Sequence, residues 1–125
     1  MNMRHSVVIA LVLVASHAIA QQTGNAGKYT GTMMGNGGRE VPVQVTLAEA
    51  AGTWTMQAVG AGARKNPCMG KELPLEIVSG PDPLVLHVSG SKVIAGCMDG
   101  NVTLVPSGAG YKGTLADGRE VTLTR

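Results

Sequence analysis

The sequence is poor in aromatic residues. It contains no Phe, and its only aromatic side chains are Trp54, Tyr29 and Tyr111. Because large rings supply much of the buried area in many hydrophobic cores, this chain has to fill its interior in another way. We therefore expect a core made mainly of Val, Leu, Ile, Met and Ala side chains.

The chain also lacks a large excess of either charge. It has 10 Lys and Arg residues against 8 Asp and Glu residues. Proteins that bind nucleic acids carry a dominant basic surface, because they neutralise many phosphates. The near balance of charge therefore argues against a nucleic-acid partner.

Beyond residue 20, the sequence has no long window with the apolar spacing of an amphipathic helix. All 18 Gly and all 6 Pro residues lie in this part of the chain. Gly and Pro are the residues that most often mark turns. We expect short strands joined by many turns, in one domain at 28–125.

What is present at the start of the chain resembles an export signal. Arg4 and His5 precede an apolar run at 7–14, and the small residues Ala18 and Ala20 follow it. We predict cleavage after Ala20, which would remove residues 1–20 and place the product in the periplasm or outside the cell. The apolar run is too short to remain as a membrane anchor, so no stable membrane insertion of the mature chain is expected.

After cleavage, residues 21–27 are expected to form a flexible segment before the domain. Cys68 and Cys97, the two cysteines of the chain, both lie within the domain. In an oxidising compartment, such a pair is expected to form a disulfide bond.

Apolar and polar residues alternate along most of the domain, which is typical of strands with one buried face. Short connections favour antiparallel neighbours. We predict an all-β fold, a small antiparallel β-barrel of about eight strands in a mostly meander order, with a β-sandwich as the alternative. The predicted inward residues are Tyr29, Met33, Val43, Val45, Trp54, Met56, Leu75, Ile77, Leu84, Leu86, Val102, Leu104, Tyr111, Leu115, Val121 and Leu123.

A pattern near the start of the domain recurs near its end. Residues 29–33 and 111–115 both read Y-x-G-T-apolar, and 38–41 and 118–121 both read G-R-E-V. Each copy predicts a hairpin, either by coincidence of hairpin chemistry or because the two hairpins hold equivalent places in a closed sheet. Gly31 and Gly113 fall at inward positions, where Gly permits sharp coiling or a close neighbour.

The predicted disulfide conflicts with a strict meander. If Cys97 lies at the end of a strand of its own, the two cysteines fall at opposite ends of the sheet. The conflict is removed if the connection at 60–70 runs along the barrel, or if one strand is miscounted. We therefore expect the disulfide bond to form and the strand order to depart from a strict meander.

Residues that could perform catalysis are scarce. His87 is the only His after residue 20, and it lies on the outward face of a strand with no second His to share a metal ion. Glu40 and Glu120, each beside an Arg, are interpreted as charges on solvated strand ends. No catalytic residue, metal ion or cofactor is predicted, and the protein is not expected to be an enzyme.

The longest irregular stretch, 60–71, is the predicted binding surface. It contains the polar residues Arg64, Lys65, Asn66 and Lys71, and rigid β-scaffolds often carry recognition on long loops. The first hypothesis is therefore an exported protein that binds a protein or an envelope component through its loops. The alternative is a carrier of a small hydrophobic ligand in the barrel interior, disfavoured because no polar residue is predicted at an inward position.

Overall fold

A closed antiparallel barrel is the architecture of the computed structural model. Across the residues that the structure describes, 26–35, 38–57, 66–97 and 99–125, eight strands follow in meander order and the last pairs with the first. The predicted all-β barrel of about eight strands is therefore confirmed, and the chain does not form the alternative sandwich. The strands are β1 (Gly27–Met34), β2 (Glu40–Leu47), β3 (Ala51–Met56), β4 (Glu72–Ser79), β5 (Leu84–Ser89), β6 (Asp99–Ser107), β7 (Gly110–Leu115) and β8 (Glu120–Thr124).

The interior of the barrel follows the alternation in the sequence. Of the predicted inward residues, all are buried except Met56, Ile77 and Leu115, which are half-buried and pack against the core. Val and Leu supply most of the core, as the absence of Phe requires. Further apolar residues of the same strands are buried as well: Val41, Leu47, Leu73 and Val88.

Two inward glycines lie where neighbouring strands come very close. A Cβ atom at Gly31 would lie 1.8 Å from the backbone oxygen of Thr122 in β8. A Cβ at Gly113 would lie 1.9 Å from the backbone oxygen of Thr103 in β6. No other residue fits such an approach without a backbone shift, so the prediction that these glycines admit a close neighbour is confirmed.

The connections differ in length at the two ends of the barrel. We call one end the loop end, because it carries the longer connections, and the other the turn end. Because successive strands run in opposite directions, the assignment follows directly from the strand order. The loop end has the connections 35–39, 57–71, 90–98 and 116–119, and the turn end has 48–50, 80–83 and 108–109.

Cys68 and Cys97 form the predicted disulfide bond, with their Cα atoms 5.1 Å apart. The expected conflict with a meander does not arise, because Cys97 belongs to a connection and not to a strand. Residues Gly90–Lys92 form a short 3-10 helix after β5, and Cys97 follows it just before β6 begins. Both cysteines therefore lie at the loop end, and the doubt about a strict meander was wrong.

Two aromatic side chains pack against each other in the part of the core nearest the turn end. The ring centroids of Tyr29 and Tyr111 lie 5.8 Å apart, with the rings tilted by 59°. The guanidinium of Arg125 lies over the ring of Tyr29, 5.6 Å from its centroid, and donates a hydrogen bond to the backbone oxygen of Ala26. This packing joins the start of β1 to the end of β8, where the barrel closes.

The predicted export signal and most of the segment 21–27 lie outside the described residues, and β1 begins at Gly27. Within the described part of the chain, none of the helical structure is long and apolar enough to span a bilayer.

Candidate functional site

A cavity of about 990 Å³ lies at the loop end of the barrel. Residues from several strands and from the connections at this end line it together. Its apolar side chains belong mostly to the part of the core nearest the loop end. Its polar side chains come mostly from the connections. The apolar lining residues include Met33, Val41, Trp54, Met56, Leu73, Val88, Val102 and Leu115.

Trp54 places the largest apolar side chain of the chain against this cavity. It lies in β3, where it pairs with Val45 of β2 and Leu73 of β4. Its side chain is 2% exposed, so it forms part of the floor and does not project into solvent. Met56 and Leu115, which are only half-buried, line the same cavity nearer the loops.

Two arginines line the cavity from equivalent hairpin turns. In the first, the backbone N–H of Gly35 donates to the oxygen of Arg39 over 2.7 Å; in the second, that of Leu115 donates to Arg119 over 2.8 Å. The residue before each Arg is a Gly with positive φ, Gly38 at 78° and Gly118 at 90°. Gly in this left-handed position is typical of the last residue of a three-residue hairpin loop. The repeated G-R-E-V pattern thus builds the same turn twice, on hairpins that are neighbours in the closed barrel.

The two arginines differ in their contacts. Arg119 is paired through its Nε with Oδ2 of Asp117, at 2.7 Å. The backbone N–H of Arg119, followed by its side chain, holds the pKa of the Asp117 carboxyl below its ordinary value, so this group is ionised at neutral pH. Arg39 is exposed and forms no ion pair with the residues that the structure describes.

The prediction that no polar residue occupies an inward position was wrong at these two sites. Arg39 precedes inward Val41 by two residues, and Arg119 precedes inward Val121 by two residues. Because side chains in a strand repeat every second residue, both arginines continue the inward rows beyond the strand ends. Counting the alternation two residues back from Val41 and from Val121 would have found them, whereas only the neighbouring charges, Glu40 and Glu120, were interpreted, as solvated strand ends.

The predicted binding stretch 60–71 contributes to the cavity in part. Asn66 and Met69 line it, and Asn66 Oδ1 accepts a hydrogen bond from the backbone N–H of Cys68 over 3.0 Å. Lys71 is exposed and is not a lining residue. Arg64 and Lys65 lie outside the described residues, so partner binding through this stretch stays a prediction.

The predicted surface histidine does not line the cavity, although its hydrogen-bond partner Asn101 does. His87 is half-buried in β5, and its Nδ1 donates to Oδ1 of Asn101 in β6 over 2.6 Å. Nearby, Ser91 donates both its backbone N–H and its hydroxyl to Asp99 Oδ1, which lowers the pKa of that carboxyl. Among the residues described, no three His, Cys, Asp or Glu side chains are grouped so that they could hold a metal ion.

The cavity combines an apolar floor with cationic side chains near its rim. An apolar floor can shield an apolar body from water, and the arginines can attract negative charge. Comparison of the chain with models of protein families, with curated proteins and with solved structures finds no match.

Proposed function

We propose that this protein is a non-enzymatic binding protein that holds a small, largely apolar molecule in the loop-end cavity. The observation that carries the proposal is the cavity itself, about 990 Å³ in size and lined by apolar side chains of several different strands. Ligand pockets are typically concave, mostly apolar and several hundred cubic ångströms in volume. Burial of a ligand's apolar surface against this floor supplies the free energy of binding.

A rigid scaffold supports this role. The strands that supply the floor belong to a sheet without edges, and their inward side chains form one continuous core. The disulfide joins the connection before β4 to the connection before β6, and Cys68 itself lines the cavity. Such a preformed site loses little conformational freedom when a ligand binds.

We also propose that the protein works outside the cytoplasm. The signal pattern at 1–20 and the disulfide bond between Cys68 and Cys97 both favour an oxidising compartment. Mass spectrometry of the protein recovered from its producing cells tests this proposal. A secreted product that begins at Gln21 is the expected result, and a chain retained in the cytoplasm with residues 1–20 intact contradicts it.

The single tryptophan provides a direct test of ligand binding. Trp54 forms part of the cavity floor, and a bromine atom quenches indole fluorescence only at short range. Titration with ω-bromododecanol, kept below the concentration at which it aggregates, is expected to quench Trp54 and to reach saturation.

Bromoethanol is the matched control, because it has the quencher and the hydroxyl but lacks the apolar body. It is expected to give only weak, linear quenching over the same concentration range. If ω-bromododecanol quenches no better than bromoethanol, the cavity does not hold an apolar ligand and the proposal is wrong.

A further inference from the structure

We infer that the ligand is an amphipathic oxyanion whose carboxylate or phosphate head group is bound by Arg39 and Arg119. The inference rests on the proposed function, because it identifies the chemistry of the molecule that the cavity holds. Its basis is the placement of two cationic side chains along the apolar cavity, on the same inward rows that form the floor. A ligand with an apolar body and a negative head matches both parts of this site.

The register of the strands brings the two arginines to the same side of the cavity. Val121 of β8 pairs with Met33 of β1, and Met33 pairs with Val41 of β2. Arg119 and Arg39 each precede one of the two valines by two residues, so they stand on the β8 and β2 rows that flank β1. Both side chains therefore lie along one side of the cavity, with Met33 in the row between them.

Asp117 and Asp99 also line the cavity and balance the formal charge of the two arginines, so anion binding depends on which guanidinium donors remain available. Asp117 contacts Arg119 only at Nε, which leaves the two Nη groups of the guanidinium without a partner among the described residues. Asp99, whose residue also lines the cavity, accepts two hydrogen bonds from Ser91. Arg39 has no described acidic partner, so it is the principal site for an anion.

Arginine suits this role for a geometric reason. Its planar guanidinium presents paired N–H donors that match the two oxygens of a carboxylate or phosphate. A hydroxyl or ester head group offers no such charge. The site should therefore distinguish an acid from an alcohol of the same chain length.

The experiment compares ω-bromododecanoate with ω-bromododecanol by quenching of Trp54. Wild-type protein is expected to bind the carboxylate at least about tenfold more tightly, since hydrogen bonds to charged groups have effects of this size. Displacement of the bromo-carboxylate by dodecanoate or by dodecyl phosphate, followed as recovery of Trp54 fluorescence, shows which head group is preferred.

Arginine variants locate the head group. Arg39→Met together with Arg119→Met is expected to remove the preference for the carboxylate while leaving the affinity for the alcohol within about twofold. Lys112→Met is the matched control, because Lys112 is exposed on the outward face of β7 and does not line the cavity. It should retain the full preference.

A second variant is expected to strengthen carboxylate binding instead of weakening it. Asp117→Asn removes the carboxylate that competes for Arg119, while its amide oxygen can still accept the backbone hydrogen bond within the turn. This variant is expected to bind the carboxylate about threefold more tightly, with unchanged affinity for the alcohol. Weaker carboxylate binding would contradict the assignment of Arg119.

The outcomes separate this inference from the proposed function. Equal affinity of wild-type protein for the acid and the alcohol overturns the head-group inference and leaves the apolar site intact. A preference for the acid that survives both Arg substitutions also overturns it. Failure of both bromo-compounds to quench Trp54 overturns the proposed function and the inference together.

Discussion

Inward glycines determine how closely some strands of the barrel approach one another. Gly31 lies in β1 between Val43 of β2 and Leu123 of β8, in a row that is otherwise filled by apolar side chains. The space that a Cβ would need at this position is occupied by the backbone of β8. Gly31 therefore acts by leaving room for a strand, and not by adopting an unusual backbone conformation.

Substitution of Gly31 tests this role. Gly31→Ala is expected to lower the free energy of unfolding by roughly 1–3 kcal/mol, since the added methyl group overpacks the junction of β1 and β8. Urea denaturation at neutral pH measures the change. Gly100→Ala is the control, because no described atom lies within 4 Å of a Cβ at Gly100. Equal stability of the two variants would contradict the steric explanation.

Individual residues were predictable from the sequence where the alternation was unbroken. Val43, Val45, Leu84 and Leu86 lie in clear two-residue patterns, and all are buried as expected. Arg39 was not recognised as a cavity residue, because a turn separates it from β1 and its charge suggested solvent. The two-residue alternation counted back from Val41 would have placed it in the inward row.

At the level of elements, the recurring Y-x-G-T and G-R-E-V patterns have a structural meaning. They form the hairpins β1–β2 and β7–β8, which adjoin each other through the pairing of β8 with β1. The two equivalent tyrosines contact each other near the turn end, and the two equivalent arginines line the cavity at the loop end. The hairpins were predictable from turn chemistry, whereas their adjacency required knowledge of barrel closure.

The stretch between β5 and β6 was the least predictable element. Val93 and Ile94 are apolar and favour a strand, yet they follow a 3-10 helix, and Val93 is 51% exposed. The backbone N–H groups of both residues donate to the oxygen of Gly90, which satisfies locally the donors that a strand would present to a neighbour. A local turn thus prevailed over β-propensity.

The disulfide connects two of the elements that surround the cavity. Replacing both Cys68 and Cys97 by Ser is expected to lower the free energy of unfolding by roughly 3–4 kcal/mol, because the bond constrains a long loop of the unfolded chain. Urea denaturation of the variant and of the wild type measures the loss. Chemically reduced wild-type protein should unfold at the same urea concentration as the variant, and an unchanged midpoint would contradict the prediction.

On the scale of the whole molecule, closure removes the unpaired strand edges that an open sheet would expose. β1 pairs with β8 from Thr30 to Met33, opposite Thr124 to Val121. The approximate strand count and a mostly meander order were predictable from the turns, whereas the strict meander was doubted because Cys97 was placed on a strand. Closure was favoured in advance but not determined, since a sandwich accommodates the same alternation.

Hydrogen exchange tests closure in solution. Amides that bond between β1 and β8 are expected to exchange as slowly as those that bond between β5 and β6, because both pairs are opened only by unfolding of the barrel. Exchange measured residue by residue by NMR provides the comparison. Exchange between β1 and β8 as fast as in the exposed turn at 48–50 would show that the sheet is open.

The separation of the two ends has a practical consequence. Arg125 lies at the turn end beside Tyr29, while the cavity lies at the opposite end. A sensor surface coupled through residue 125 would leave the loop end facing the sample. Replacing the sequences of those loops would change which molecules the surface binds, while the eight paired strands keep their sequence.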